Sequence, residues 1–193
     1  MPKKILIIDG HPNKASLCHA LAEAYQKGAS ETGAEVQTFR IADLNFNPNL
    51  EAGYQKIQTH EPDLLLALEK IRWAEHLVWV HPVWWGGFPA IMKGFIDRLF
   101  VPTVAFKYRP NSVWWDKLFA GRSARIITTL DQPSWYYWLF YGRPSVNQLK
   151  NSILKFCGIS PVRVSYVGIV RNSTETQRQR WIQKIYQLGK NQG

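Results

Sequence analysis

Residues 77–100 read LVWVHPVWWGGFPAIMKGFIDRLF, and no other stretch says as much about the fold. The stretch begins as a short apolar strand, passes through a loop with two adjacent tryptophans and two glycines, and then becomes helical. Glycine lets a backbone come close to a ligand, and an indole offers a large rigid face for stacking. The pattern therefore predicts a slot for a planar ring system such as a flavin. Burial of Trp84 and Trp85 in a core or a dimer interface is the competing interpretation.

Length and cysteine content limit the class of protein. The 193 residues predict one domain, 1–193, that is large enough to bury a full core. Cys18 and Cys157 are the only cysteines, which is too few for a disulfide framework or a thiolate metal cluster. Residues 1–9 indicate a buried strand and not a secretory signal, and no apolar run reaches membrane-spanning length. We therefore expect a reducing, cytoplasmic setting and no metal.

The formal net charge of +10 suggests nucleic acid, an anionic membrane surface or a phosphate-bearing cofactor as partner. A nucleic-acid binder should alternate its aromatic residues with Lys or Arg on one face. In this chain the basic residues are dispersed and the aromatic residues collect after predicted strand ends. Nucleic acid is therefore not expected, and a solvated basic surface is the simplest interpretation of the charge.

Apolar strands alternate with helical patterns along the chain. The predicted strands are 4–9, 35–41, 76–80, 122–129 and 162–167. The predicted helices are 16–32, capped by Ser16, 63–72, capped by Asp63, 89–100, 143–156, ending near Gly158, and 174–188. Five strands separated by helices predict a parallel sheet with right-handed crossovers. Such sheets bind ligands beyond the carboxyl ends of their strands.

Three loops follow predicted strand ends, and each carries residues suited to a ligand. The first, 10–18, leads into a helix whose free N–H groups suit a phosphate, although N-capping alone also explains Ser16. The second holds Trp84 and Trp85. The third, 128–138, offers two threonine hydroxyls followed by four aromatic residues, among which Tyr136 is a candidate proton donor. A structural aromatic cluster is the alternative for this third loop.

Together these motifs resemble the flavodoxin-like NAD(P)H:quinone oxidoreductases, a family with DT-diaphorase and the ancillary subunits of glutathione-gated potassium efflux systems among its members. The resemblance covers nearly the whole chain. It rests on His11-Pro12 with Ser16, on Asn45-Phe-Asn-Pro48, on Pro82-Val-Trp-Trp85 leading into Pro89-Ala-Ile-Met-Lys-Gly94, and on Thr128-Thr129. It implies a three-layer α/β/α sandwich with five parallel strands in the order 2-1-3-4-5.

The resemblance also implies a flavin site at the carboxyl edge of the sheet. The residues implied around the flavin's phosphate side chain are His11, Ser16, Leu17 and Cys18. Those implied to line the isoalloxazine are Pro82, Val83, Trp84, Trp85 and Gly86, with Thr128 and Thr129 closing the far side. Tyr136 stands where the family has its catalytic tyrosine.

Three features depart from the family pattern. Leu130-Asp131 stands where the family often has two glycines, so the backbone approach to the flavin is expected to differ. Gly142 stands where DT-diaphorase has a histidine beside the tyrosine, which puts a tyrosine–histidine proton relay in doubt. The long C-terminal extension of the animal enzymes is absent, which favours FMN over FAD as the expected cofactor.

The implied activity is two-electron reduction of quinones or related acceptors by NAD(P)H, through alternating hydride transfers. The alternative is a flavin-binding regulatory subunit of a membrane transporter, with secondary oxidoreductase activity. Apolar residues also crowd the region after strands three and four beyond what one core is expected to bury, which predicts a two-fold homodimer with shared active sites. These residues are Phe88, Phe95, Leu99, Phe100, Val101, Phe106, Trp114, Trp115, Trp135, Trp138, Leu139 and Phe140.

Overall fold

The structure is a computed structural model that describes residues 1–56 and 58–192. Its strands are β1 (Lys4–Asp9), β2 (Glu35–Arg40), β3 (His76–Pro82), β4 (Phe106–Tyr108), β5 (Trp115–Lys117), β6 (Ser123–Leu130) and β7 (Val162–Gly168). Its α-helices are α1 (Leu17–Glu31), α2 (Pro62–Trp73), α3 (Ala90–Leu99), α4 (Ser134–Leu139), α5 (Pro144–Asn147) and α6 (Glu175–Lys190). A π-helical segment, Gln148–Lys155, continues α5.

Five parallel strands form the central sheet in the order β2-β1-β3-β6-β7. Since β4 and β5 form a separate two-stranded sheet, this is the predicted order 2-1-3-4-5, and the predicted flavodoxin-like fold is confirmed. The central strand β3 is buried along its whole length. Its near-continuous apolar sequence is what a strand covered on both faces requires.

Helices cover both faces of the sheet. Residues of α1 and α6 share one core with the sheet, and residues of α2, α3 and the π-helical segment share the other. The first pair of helices packs closely through two glycines. A Cβ on Gly28 would collide with the carbonyl oxygen of Tyr186, and a Cβ on Gly189 would collide with that of Tyr25. Neither position therefore has room for a side chain.

Arg98 on α3 fastens the loop between β2 and α2. Its side chain is buried, and its Nη2 atom lies 2.8 Å from Glu61 Oε2 and donates to the carbonyl of Thr59 at 2.9 Å. Arg98 Nη1 also donates to the carbonyl of Asn47. These contacts fasten the loop before α2 to the C-terminal end of α3.

Two motifs of the sequence meet in this region. A Cβ on Gly94 would lie 2.5 Å from the Pro48 Cβ, so the α3 glycine is needed for the close approach of segment 45–48. The helix predicted to start at Asp63 begins one residue earlier, with Glu61 at the N-cap. Asp63 instead accepts a hydrogen bond from the Asn45 N–H at 2.6 Å, so its carboxylate also holds this loop.

Part of the predicted apolar excess is absorbed by the core. Phe88, Phe95, Leu99, Phe100 and Phe106 are buried in the single chain. They are buried because α3 and the β4–β5 hairpin pack them against the sheet. The prediction was that one core would not bury all twelve residues, and Trp114, Trp135, Trp138, Leu139 and Phe140 are indeed exposed in the single chain. Within the described residues, no helix is both long enough and apolar enough to cross a bilayer.

Candidate functional site

A cavity of about 160 Å³ lies at the carboxyl edge of the sheet, beyond the ends of β1, β3 and β6. Eight of the twelve predicted site residues line it, and Trp85, Gly86, Thr128 and Tyr136 do not. The lining residues are His11, Ser16, Leu17, Cys18, Pro82, Val83, Trp84, Thr129, Leu130, Asp131 and Val170. A cavity of about 360 Å³ beside α3 is larger, but none of its lining residues belongs to the parallel sheet.

The loop after β1 is held by the buried carboxylate of Asp9. This carboxylate accepts the His11 N–H at 2.9 Å and lies 2.9 Å from His19 Nδ1 and 3.5 Å from Arg40 Nε. The Asn13 N–H donates to His11 Nδ1 at 3.0 Å. The neutral His11 ring therefore carries its proton on Nε2.

The protonation state of His11 follows from its surroundings. Partial burial lowers the pKa of His11 below its usual value, against the opposing effect of Asp9, and the charge of Arg40 lowers it further. His11 is then neutral at pH 7 and presents an Nε2–H donor from a residue that lines the cavity.

The N-terminus of α1 also faces the cavity. Ser16 caps the helix, because its side chain accepts the His19 N–H at 3.2 Å. Within the described chain, the N–H groups of Leu17 and Cys18 donate to no protein acceptor, as is normal in a first helical turn. The first turn also carries no acidic residue. This end of α1 is therefore suited to an anion.

Cys18 is a packed thiol. Its Sγ atom lies 3.4 Å from Thr129 Oγ1, and burial raises its pKa to about 12. At neutral pH the thiol keeps its proton, so Cys18 contributes shape to the cavity wall and not a nucleophile.

The loop after β3 is a tight turn closed by two hydrogen bonds between Trp84 and Gly87, at 2.9 and 2.8 Å. Trp85 and Gly86 between them have φ angles of +50° and +77°, which is the mirror-image geometry of a type I′ turn. The Trp84 ring meets the His11 ring edge-on at 5.5 Å. The Trp85 side chain is fully exposed, so Trp84 is the indole at the cavity.

Trp85 and Gly86 can contact a ligand through their backbone N–H groups. Neither N–H group donates to an acceptor in the part of the chain that the structure describes. A left-handed φ on a bulky residue such as tryptophan is rare and carries strain. The turn therefore presents two free N–H donors beside the strand ends at a conformational cost.

The end of β6 brings two threonines to the site. Thr129 lines the cavity, whereas Thr128 is fully buried and its Oγ1 has no partner among the described residues. Leu130, at the first position of the family's usual glycine pair, packs against Tyr137 and Val146 and lines the cavity as well. The departure from the family pattern thus couples the cavity wall to α4 and α5.

Two further lining residues, Asp131 and Val170, were not predicted. The Asp131 carboxylate accepts the Arg171 N–H at 2.9 Å, and the Val170 N–H donates to the Leu130 carbonyl at 2.9 Å. The segment after β7 therefore reaches the same edge as the three predicted loops. The sequence did contain a signal for this segment, because the fifth predicted parallel strand must end at the same edge of the sheet as the others.

Tyr136 lies on α4, partly exposed, and stacks on Phe140 with a centroid distance of 4.8 Å. The neighbouring Tyr137 is buried instead, and its hydroxyl lies 2.7 Å from Ser145 Oγ. Tyr137 therefore anchors α4, and Tyr136 stands outside the cavity lining. Gly142 adopts a φ of +65° in the turn that follows.

The donor set fits a flavin phosphate and ring. A phosphate would meet Ser16, the free N–H groups at the start of α1 and the His11 Nε2–H. A ring edge would meet the free N–H groups of the turn after β3, whereas the unpartnered Thr128 hydroxyl lies outside the cavity lining.

Comparison with known proteins agrees with the fold described above. The family model described as a flavodoxin-like fold matches residues 3–188. An uncharacterized NAD(P)H oxidoreductase of Haemophilus influenzae is 28% identical over 185 residues, which cover 92% of this chain and 90% of that protein. NAD(P)H dehydrogenase (quinone) 1 of Rattus norvegicus is 24% identical over 194 residues, which cover 86% of this chain and 70% of that protein.

Solved structures share the same architecture. Smu.1420 from Streptococcus mutans UA159 superposes with a TM-score of 0.81 at 32% identity, over 97% of this chain and 98% of that one. An FMN-dependent NADH-azoreductase from Bacillus anthracis str. Ames Ancestor, in complex with FMN, gives a TM-score of 0.76 at 16% identity, over 100% and 99% of the two chains. At that identity the second likeness concerns the fold alone.

Proposed function

This chain belongs to the flavodoxin-like NAD(P)H:quinone oxidoreductase family, and we propose that it binds FMN and reduces quinone-like acceptors by alternating hydride transfers. The observation that carries the proposal is the meeting of the loops after β1, β3 and β6 around one cavity. When bound, the flavin supplies the hydride chemistry between NAD(P)H and the acceptor. The protein supplies position, hydrogen bonds and a proton.

The phosphate of FMN would be held at the start of α1. Ser16 would donate its hydroxyl, Leu17 and Cys18 their N–H groups, and His11 its Nε2–H. A neutral His11 suits this role, because it donates a hydrogen bond while the helix N-terminus supplies the positive electrostatic potential. The azoreductase of the same fold was solved in complex with FMN, and FAD is the alternative cofactor for this chain.

The ring would lie along the end of β3. Pro82, Val83 and Trp84 would contact it, and the N–H groups of Trp85 and Gly86 would donate to its N1 and O2 edge. Donors that are already fixed in place stabilise negative charge at that edge without reorganising. Thr128 and Thr129 would close the far side, since both lie at the end of β6.

Tyr136 is the proposed proton donor to the acceptor. Because Gly142 replaces the histidine that the resemblance led us to look for, the tyrosine hydroxyl would act without an imidazole partner. Its position on α4, beside the cavity wall at Leu130, would bring it to an acceptor stacked over the ring and not to the buried side of the ring. Regulation of a transporter gains no support from the relatives named above, which are oxidoreductases by name.

The test is the cofactor itself. We expect purified protein to show flavin absorption, to release FMN on denaturation, and to oxidise about one NAD(P)H per flavin anaerobically, with further oxidation only when a quinone is added. Apoprotein titrated with FMN and FAD in parallel will rank the two cofactors. A colourless protein that neither flavin reconstitutes would contradict the proposal.

A further inference from the structure

Five large apolar side chains stand out from α4 and the residues just after it. Trp135, Trp138, Leu139, Phe140 and Tyr141 are each at least half exposed, and we call this surface the α4 face. Exposed apolar patches of this size on a folded chain mark an interaction site. We therefore expect the α4 face to be covered by a partner that offers a large apolar region.

The α4 face is rigid. Tyr137, in the middle of α4, is buried, lies 2.7 Å by its hydroxyl from Ser145 Oγ and accepts the Ser145 N–H at 3.2 Å. The Asn147 side chain also donates to the Gly142 carbonyl. The apolar side chains are thus presented from a helix that is fastened to the body of the protein, and their exposure is not that of a loose loop.

The α4 face borders the cavity. Leu130 lines the cavity and packs against Tyr137 from inside α4. On the other side, a Cβ on Gly86 would lie 3.3 Å from Pro144 Cγ, so the turn that carries the exposed Trp85 touches the start of α5. Any surface that covers the α4 face therefore comes close to the mouth of the cavity.

The charge shown at the α4 face is positive. Residues 132–147, which run from α4 through α5, contain no Asp or Glu, and their one basic residue is Arg143. The Arg143 guanidinium lies over the Trp138 ring at 6.0 Å, within the α4 face itself. A second copy of the chain would bring its own Arg143 and a formal net charge of +10 to this surface and be repelled, whereas an anionic surface would be attracted.

We propose that the α4 face docks the protein on an anionic lipid surface. Trp and Tyr are the residues that settle at the level of the lipid headgroups. Leu139 and Phe140 would enter the acyl boundary, and nearby bases would meet anionic headgroups. If the proposed function holds, the cavity mouth then opens toward the bilayer, and the acceptor class is a quinone with a long apolar tail dissolved in it.

The first test is vesicle flotation of the holoprotein, read by protein recovery and independent of activity. We expect binding to vesicles of phosphatidylcholine with roughly one third phosphatidylglycerol, weaker binding to pure phosphatidylcholine, and loss of binding as salt rises. Leu139→Glu should lower the affinity for anionic vesicles about tenfold or more, since it removes an apolar contact and adds a like charge.

The matched control is Leu66→Glu, the same substitution at an exposed leucine of α2. It changes the net charge equally and should leave vesicle binding close to wild type. No flotation of wild-type protein, equal loss in both variants, or a Leu139→Glu variant that binds normally would each overturn the proposal. A shift from dimer to monomer in Leu139→Glu would also overturn it, because the α4 face would then be a self-association surface.

The second test addresses the acceptor. The rate with a long-tailed quinone in anionic vesicles, divided by the rate with a short water-soluble quinone, should fall roughly tenfold in Leu139→Glu and stay constant in Leu66→Glu. An unchanged ratio would reject the lipid-dissolved acceptor. Protein that floats but binds no flavin would leave docking intact and reject the proposed function, so the two failures are distinguishable.

Discussion

Individual residues at the cavity act mainly by positioning backbone donors. The buried Asp9 carboxylate orients His11 through its N–H, and Asn13 fixes the tautomer through His11 Nδ1. Ser16 both caps α1 and keeps a hydroxyl hydrogen available to a ligand. A phosphate at this place would thus meet donors whose orientation is set before it arrives, and less entropy is lost on binding.

Ser16→Ala tests that arrangement. The variant removes one donor to a charged phosphate, an interaction of about 1.5–3 kcal/mol, so the Kd for FMN should rise roughly 10- to 100-fold. The matched control is Thr174→Ala, which removes the other side-chain N-cap, at the start of α6. It should lower stability by about 1 kcal/mol without changing the Kd. Fluorescence titration of apoprotein measures both, and an unchanged Kd in Ser16→Ala would place the phosphate elsewhere.

Tyr136→Phe tests the proton donor. The change keeps the ring stacked on Phe140 and removes only the hydroxyl, so kcat with a water-soluble quinone should fall roughly 10- to 100-fold. Tyr141→Phe is the control, since Tyr141 is a neighbouring exposed tyrosine that contacts the Tyr136 ring. It should keep wild-type kcat. A fully active Tyr136→Phe enzyme would show that the proton comes from solvent.

Sequence reasoning identified the loops that meet at the cavity but could not separate adjacent side chains within them. Ser16 could be predicted as a cap because capping depends on local chemistry. Trp84 and Trp85 could not be distinguished, because which indole meets the cavity depends on the left-handed φ of Trp85. No residue preference predicts that φ for a tryptophan, and only the tertiary position of the turn selects it.

Secondary-structure elements show the same contrast between features that local sequence decides and features that tertiary packing decides. The five parallel strands and the long helices were predictable, because a buried run or a 3.6-residue period extends over many residues. The β4–β5 hairpin was missed, since each of its strands has three residues. The six-residue α4 was missed as well, because it is too short to show a period, and its place depends on Tyr137 reaching Ser145.

Gly28→Ala tests the packing of α1 on α6. Alanine favours a helix more than glycine does, but the new Cβ would meet the Tyr186 carbonyl, and the helices would have to move apart. We expect the free energy of unfolding to fall by about 1–3 kcal/mol. Gly87→Ala is the control, because its Cβ would meet nothing closer than 3.6 Å. Urea unfolding measures the free energy of unfolding of both variants. A Gly28→Ala variant more stable than wild type would contradict the close packing of α1 on α6.

Glu61 makes the loop before α2 sensitive to acid. Burial opposes its ionisation, but the hydrogen bonds from Arg98 and from the Asn47 N–H outweigh it and lower the pKa of Glu61 to about 2, from 4.5. A carboxylate with a lowered pKa in the folded state stabilises it fully above the unfolded pKa. That stability is lost as the pH falls from about 4.5 to about 2.

Glu61→Gln should therefore lower the free energy of unfolding at pH 7 by about 1–3 kcal/mol, and the difference from wild type should vanish toward pH 2. Urea unfolding across this pH range measures it. Asp116→Asn breaks the exposed pair with Arg109 and should change stability by less than about 1 kcal/mol at any pH. A Glu61→Gln effect that persists at pH 2 would assign the loss to packing.

On the scale of the whole molecule, two areas of exposed apolar surface stand out. One is the α4 face, and the other is the tip of the β4–β5 hairpin, where Tyr108, Val113 and Trp114 are exposed. The sequence predicted more apolar residues than one core would bury, but it could not show which of them are buried and which are exposed. Which aromatic residues the core absorbs depends on how α3 and the hairpin pack, and that packing joins residues distant in sequence.

The hairpin tip is where we place the predicted two-fold homodimer. Three large exposed side chains on a rigid hairpin form a self-complementary patch when a two-fold axis passes beside them. Asp116 pairs with Arg109 at 2.7 Å and so offsets part of the positive charge of the hairpin, which also carries Lys107 and Lys117. Sedimentation at micromolar concentration should therefore show a dimer, and Trp114→Ala should raise its dissociation constant roughly 30-fold or more, as expected for a buried interface tryptophan.

The control for the dimer is Trp135→Ala, which removes an equally exposed indole from the α4 face and should leave the dissociation constant unchanged. If each active site is completed by the partner, turnover per chain should fall on dilution in parallel with the dimer fraction, because dissociation opens the site to water. Trp114→Ala should shift that fall to higher protein concentration. A wild-type monomer that reduces quinone at the full rate would reject both the dimer and the shared site.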